Sequence, residues 1–204
     1  RVGFAVRDVD AGCCGALHAH NGFLQEAHRM ATKLTDAMPD DLPIIVDAAG
    51  CGSHLKEFAK PSDRIFDATE FLLAKGLDEA LRGSAGVSAS ATYHDACHLA
   101  HGQGVREQPR ALLRAVPGLN LVEMEEPDMC CGSGGVYNLT QPGRARRLLE
   151  RKWANIARTG VDFVVMGNPG CQTWIDQASR EQGSKIKVVH TLEMLESSFS
   201  GLRA

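Results

Sequence analysis

Apolar positions in this chain fall into short runs that alternate with longer segments of helical spacing. Val2–Val6 (VGFAV), Leu42–Ala49 (LPIIVDAA), Ser88–His94, Leu119–Met124, Val161–Met166 (VDFVVM) and Ile186–Val189 read as strands, most of them ended by glycine, proline or polar residues. Ala16–Met38 places Leu24, Ala27, His28, Ala31, Leu34 and Met38 at helical spacing and is closed by Pro39 and Pro43, which predicts one long helix. Ser53–Lys60, Ile65–Lys75, Gln108–Val116, Gly143–Arg158, Gln172–Glu181 and Thr191–Ser198 predict further helices. Gly76–Val87, ending in Gly83-Ser84-Ala85-Gly86, reads as a linker. Strands alternating with helices predict parallel sheets with helices on their faces.

The pattern repeats. Val2–Val6 followed by Cys13-Cys14-Gly15 corresponds to Leu119–Glu123 followed by Cys130-Cys131-Gly132. Ile44–Ala49 with Gly50-Cys51 corresponds to Phe163–Met166 with Gly170-Cys171. Cys14 and Cys51 are 37 positions apart, and Cys131 and Cys171 are 40 apart. Downstream, Ile65–Leu73 matches Val188–Leu195. The second half has an additional strand, Cys97 and helix before its double cysteine. The expectation is an α/β fold of two pseudo-repeated parallel-sheet units with flanking helices. A first cysteine-rich unit would span 1–83 and a second 84–204. The first is expected to be incomplete at its N-terminus, with the chain a fragment of something longer.

Composition narrows the chemistry. Hydrophobic content of 44% and charge of 23% are ordinary for a globular protein, and a formal net charge of −3 argues against nucleic acid as a partner. No apolar run reaches the roughly 18 residues of a membrane span. A cytoplasmic location is the expectation, and there thiols stay reduced. Seven cysteines cannot all pair with one another, so metal ligation, redox chemistry or simple burial remain for them.

Adjacent cysteines are poorly suited to a disulfide with each other, because the ring strains the peptide between them. They can both aim at one soft metal centre where the chain turns sharply, and the glycines after Cys131 allow that turn. Cys97, Cys130, Cys131 and Cys171 each follow a predicted strand, and in an α/β sheet such loops gather at one edge. Four thiolates suit an iron–sulfur cluster or zinc. The wide spacings and the absence of C-x₂-C pairs favour the larger group. Four unrelated buried cysteines would be the bland explanation.

Several stretches together resemble a known family. They are Cys13-Cys14-Gly15-Ala16-Leu17-His18-Ala19-His20-Asn21-Gly22, Ala48-Ala49-Gly50-Cys51-Gly52, Tyr93–Gln103, Cys130–Leu139 and Gly167-Asn168-Pro169-Gly170-Cys171. The chain resembles the glycolate oxidase iron–sulfur subunit, and more broadly the cysteine-rich "CCG" domains shared with the cysteine-rich subunit of heterodisulfide reductase and lactate-utilisation proteins. The resemblance implies an electron-transfer subunit, itself without a substrate-oxidising site, of a flavin-dependent glycolate (2-hydroxyacid) dehydrogenase complex. Flavin-containing partner subunits would carry the FAD, and a membrane quinone would accept the electrons, which could place the protein peripherally at the inner membrane. It also implies a 4Fe–4S cluster on Cys97, Cys130, Cys131 and Cys171, and a second on Cys13, Cys14 and Cys51 if a further ligand is supplied. The ferredoxin-like C-x₂-C-x₂-C region of that family does not occur in this sequence, in line with a C-terminal fragment. The heterodisulfide reductase subunit has a C-x-x-C after its last ligand. Cys51-Gly52-Ser53-His54 and Cys171-Gln172-Thr173-Trp174 lack it, which weighs against disulfide-cleaving chemistry. Such chemistry and a zinc-binding interaction module are the competing functions.

His18, His20 and His54 are candidates for the missing first-half ligand. His94, His98 and His101 cluster near Cys97, either facing cluster sulfurs or facing solvent. Asp95 reads as a helix cap. Arg144, Arg146, Arg147, Arg151 and Lys152 read as a solvated helix face, and Trp153 and Trp174 as packing residues.

Overall fold

The computed structural model describes residues 3–9, 12–39, 41–60 and 62–200. The elements among them run α1 (Ala16–His20), α2 (Leu24–Asp36), β1 (Ile44–Val46), α3 (Ala49–Phe58), β2 (Ile65–Asp67), α4 (Ala68–Ala74), α5 (Leu77–Arg82), β3 (Ala89–Tyr93), α6 (Cys97–Ala100), α7 (Glu107–Arg114), β4 (Leu119–Leu121), α8 (Tyr137–Thr140), α9 (Pro142–Arg158), β5 (Phe163–Met166), α10 (Pro169–Glu181), β6 (Lys187–His190) and α11 (Thr191–Ser200). They build an α/β protein with two parallel sheets, a pair β1-β2 and a four-stranded sheet in the order β4-β3-β5-β6. Val164, Val165 and Met166 of the central strand β5 are fully buried, as a two-faced parallel sheet requires.

The internal repeat is visible in the topology. β1 pairs with β2 at Ile44↔Ile65, as β5 pairs with β6 at Phe163↔Lys187. The strand-to-helix junctions also match. Glu70 accepts from the Asp67 backbone N–H at the start of α4, and Glu193 accepts from the His190 backbone N–H before α11. Asp67 completes a capping box by accepting from Thr69 N at 2.8 Å.

Four sequence expectations require correction. Residues 3–6 form no strand, and Phe4 and Val6 are exposed; Val2 lies outside the described residues. The topology explains this. In the second half β4 reaches the sheet only through β3, and the first half has no counterpart of β3 among the described residues. The helix expected over Ala16–Met38 is two helices, broken at Asn21-Gly22-Phe23, where Gly22 adopts φ +84° and the Asn21 amide bonds to Leu17 O. Ile65–Asp67 is a strand because pairing with β1 overrides its helical spacing. The expected linker contains α5, whose Leu77 and Leu81 are buried with Leu112, Leu113 and Met194 against the four-stranded sheet.

Candidate metal centre

Each site begins with a double cysteine at a glycine turn, and the turn exists because of a helix behind it. Gly132 has φ +92°, and a Cβ there would stand 2.5 Å from the backbone oxygen of Ala145 in α9. Gly15 has φ +86°, and its Cβ would meet the oxygen of Ala27 in α2 at 2.7 Å. The third letter of Cys-Cys-Gly therefore lets the helix backbone lie directly beneath the cysteines. The turn geometry also gives the leading cysteine a donor: Gly132 N bonds to Cys130 Sγ at 3.3 Å and Gly15 N to Cys13 Sγ at 3.5 Å.

The lone cysteines arrive from the other strands. Cys171 lies in the first turn of α10 and Cys51 in that of α3. Cys97 opens α6. In the second half all four sulfurs come together. Hydrogen bonding from Cys131 and then Cys97 pulls the Cys130 thiol down, and its bond to Cys130 pushes Cys97 up. Bonds to Cys130 and Cys171, with burial, push Cys131 up. Cys171 is held well below the ordinary thiol range, chiefly by Cys131. Cys97 thus neighbours Cys130, Cys130 neighbours Cys131, and Cys131 neighbours Cys171, the last two with their sulfurs inside 4.8 Å of each other. Asn168 adds a bond from Nδ2 to Cys171 Sγ at 3.3 Å.

His94 stands beside Cys131 and Cys171. It is fully buried, neither ring nitrogen has a hydrogen-bond partner, and its donor atoms lie with Cys131 and Cys171 Sγ inside 4.8 Å. Clustered sulfurs beside a buried imidazole whose nitrogens have no hydrogen-bond partner fit a soft, thiolate-bound metal group. In the first half Cys14 and Cys51 share a hydrogen bond of 2.9 Å, which brings Cys14 down to about 6 and pushes Cys51 up. Cys13 beside them is exposed.

The first-half histidines do not join that pair. Among the described residues none of their rings is hydrogen-bonded to a thiol. His54 is buried with Nε2 3.5 Å from Ala27 O, its ring on Phe58, and His18 is exposed. His20 stacks on His98 with centroids 4.6 Å apart, and His98 Nδ1 is 3.7 Å from Cys97 Sγ. The two sites are thus neighbours. Asn168 links them as well, since its Oδ1 accepts from Gly50 N at 3.2 Å, one residue before Cys51. Ala49 N bonds to Gly167 O and Gln103 Nε2 to Ala49 O.

Two residues near the site differ from expectation. Asp95 is no helix cap: its carboxylate takes a bidentate bond from Arg110 at 2.7 and 2.8 Å, and Arg110 also holds Glu123. Asp95 is committed to the ion pair because both partners are buried, where an unpaired charge is costly. Lys152 is not on the solvated face but fully enclosed, while Arg151 of the same helix pairs with Glu126 outside. The sequence signal for Lys152 was its place in the apolar stripe of Leu149, Trp153 and Ile156. Asn168 lies in one of the stretches that carry the family resemblance, but nothing there marked it as a sulfur donor, and its first-half counterpart is Ala48.

Fold and site together define a duplicated α/β frame that presents clustered thiols at its sheet edges. The profile of the cysteine-rich CCG domain matches residues 2–56 and 91–176, and the chain belongs to that family. It is 35% identical over 204 residues to a protein of Methanothermobacter marburgensis named as a subunit of fumarate reductase (CoM/CoB), covering 97% of this chain and 41% of that protein. It is 27% identical over 207 residues to lactate utilization protein A of Oceanobacillus iheyensis, covering 93% and 82%. To the probable glycolate oxidase iron-sulfur subunit of Bacillus subtilis it is 30% identical over 207 residues, covering 91% and 46%. The chain thus spans under half the length of the first and third of these relatives. None of the described helices is long and apolar enough to cross a membrane.

Proposed function

We propose that this chain is an iron–sulfur electron-transfer module, with a 4Fe–4S cluster on Cys97, Cys130, Cys131 and Cys171. Cys13, Cys14 and Cys51 would hold a second cluster with one further donor. The observation that carries the reading is the gathering of Cys131 and Cys171 within 4.8 Å beside a buried His94, with Cys97 at the start of α6 and Cys130 next to Cys131, because thiolates from three loops can bind a cluster. The named relative that is an iron-sulfur subunit supports it. A bound cluster would supply one-electron chemistry. The protein's part is to bring the four thiols to one place, to direct Asn168 Nδ2 at Cys171, and to enclose Cys131 and Cys171.

The electrons would come from FAD on partner subunits that oxidise a 2-hydroxy acid such as glycolate, and pass toward a membrane quinone. The protein would work in the cytoplasm, at the inner membrane surface.

Anaerobic purification followed by iron, acid-labile sulfide and zinc analysis tests the reading. About four irons and four sulfides for the second site are expected. Stoichiometric zinc without iron would establish a structural zinc module instead. Cys131→Ser is expected to remove most of the second-site absorbance; full iron retention in that variant would show that Cys131 is no ligand.

A further inference from the structure

Lys152 carries a charge that the thiol cluster alone leaves unexplained. Its side chain has no exposure at all and reaches the segment that leads into the double cysteine. Nζ donates to the carbonyl oxygens of Glu126 at 2.5 Å and Pro127 at 3.1 Å, and Met124 Sδ lies at 4.0 Å. Among the described residues no carboxylate is within ion-pair distance of it. The Glu126 carboxylate turns to Arg151 and Asn155, that of Asp95 to Arg110, and that of Asp128 to Arg106 and His101. Two carbonyl dipoles do not neutralise a buried ammonium, so an anion nearby is needed. Burial lowers its pKa, and the carbonyl it holds at Pro127 lies three residues before Cys130.

The repeat supplies an internal comparison. Gly15 abuts the oxygen of Ala27 and Cβ of Met30, and Gly132 abuts the oxygen of Ala145 and Cβ of Leu148. This register sets Lys152 opposite Leu34, which packs against the first-half core. The same helix beneath the same turn is built with leucine, so the architecture does not itself require a cation.

We infer that Lys152 is the counter-charge of the second cysteine site, a buried ammonium that stabilises the negative charge gained when that site takes up an electron. The inference rests on the iron–sulfur reading above. Lys152 is a positioning and tuning residue of the second site.

The test is an anaerobic redox titration of the loaded full chain, followed by electron paramagnetic resonance. The second-site signal is the one that Cys131→Ser abolishes. Lys152→Gln keeps an N–H donor for the two carbonyls and deletes the charge; Lys152→Met deletes both. Each is expected to lower the second-site reduction equilibrium at least tenfold, which is about 59 mV for one electron, with the first-site signal unmoved. An unchanged potential in Lys152→Gln overturns the inference and leaves the lysine a clamp for the turn. Should Lys152→Gln lose its iron, recovery of iron and potential in Lys152→Arg supports the counter-charge, and no recovery overturns it. Wild-type protein without iron would instead overturn the reading of the site, and this inference with it.

Discussion

Gly132 shows how much depends on one missing side chain. Its φ of +92° and the 2.5 Å approach to Ala145 O leave no room for a methyl group, so Gly132→Ala combines backbone strain with a clash against helix backbone. A loss of about 3 kcal/mol is expected in urea unfolding. Asn168→Ala removes a donor to Cys171 and an acceptor for Gly50 in a single change. The expected cost is about 1–3 kcal/mol, together with a lower second-site potential, because a donor to sulfur favours the reduced form. A variant equal to wild type in both stability and potential would show that Asn168 links nothing of consequence.

At the scale of elements, α9 grips the acidic turn that leads into the double cysteine. Arg151 and Asn155 bond the Glu126 carboxylate, Lys152 takes the carbonyls of Glu126 and Pro127, and Glu126 itself holds a positive φ of 52°. The Arg151 bond, then that of Asn155, holds the Glu126 carboxyl below its ordinary value of 4.5. A depressed folded pKa gives stability that is complete above the unfolded value and lost as pH falls through the folded one. Unfolding midpoints should therefore decline on acidification below about pH 4.5, and Glu126→Gln should flatten that part of the profile. Most strands and the later helices were legible in the sequence because their apolar spacing coincides with their burial. Ile65–Asp67 was not: its helical spacing is real, and only a partner strand more than twenty residues earlier makes it extended. Leu77 and Leu81 were hidden for another reason, since a six-residue helix offers too few positions to show a period. Leu81→Ala should cost about 2–5 kcal/mol by urea unfolding, whereas a loop position would lose almost nothing.

For the whole molecule, the cysteine positions were readable because the repeat lines up both sets, but their neighbours were not, because contacts between the halves leave no local pattern. α5 covers the four-stranded sheet, the Ala49 and Asn168 bonds cross from one site to the other, and His20 stacks on His98. These contacts predict one cooperative transition. Both tryptophans, Trp153 and Trp174, belong to the second half, so their fluorescence reports it alone, while far-ultraviolet circular dichroism reports both halves. Coincident urea curves are expected; separate midpoints would mean that the halves stand independently.

The fit of α9 beneath Gly132 also fixes what could be transplanted. A loop of Cys130–Gly135 grafted onto another scaffold would arrive without the backbone that shapes it, the lysine that holds its approach, and the partner for Glu126. The smallest portable cassette runs from Glu126 to Ile156, and a designer who shortens it should expect thiols in the right order but without their turn.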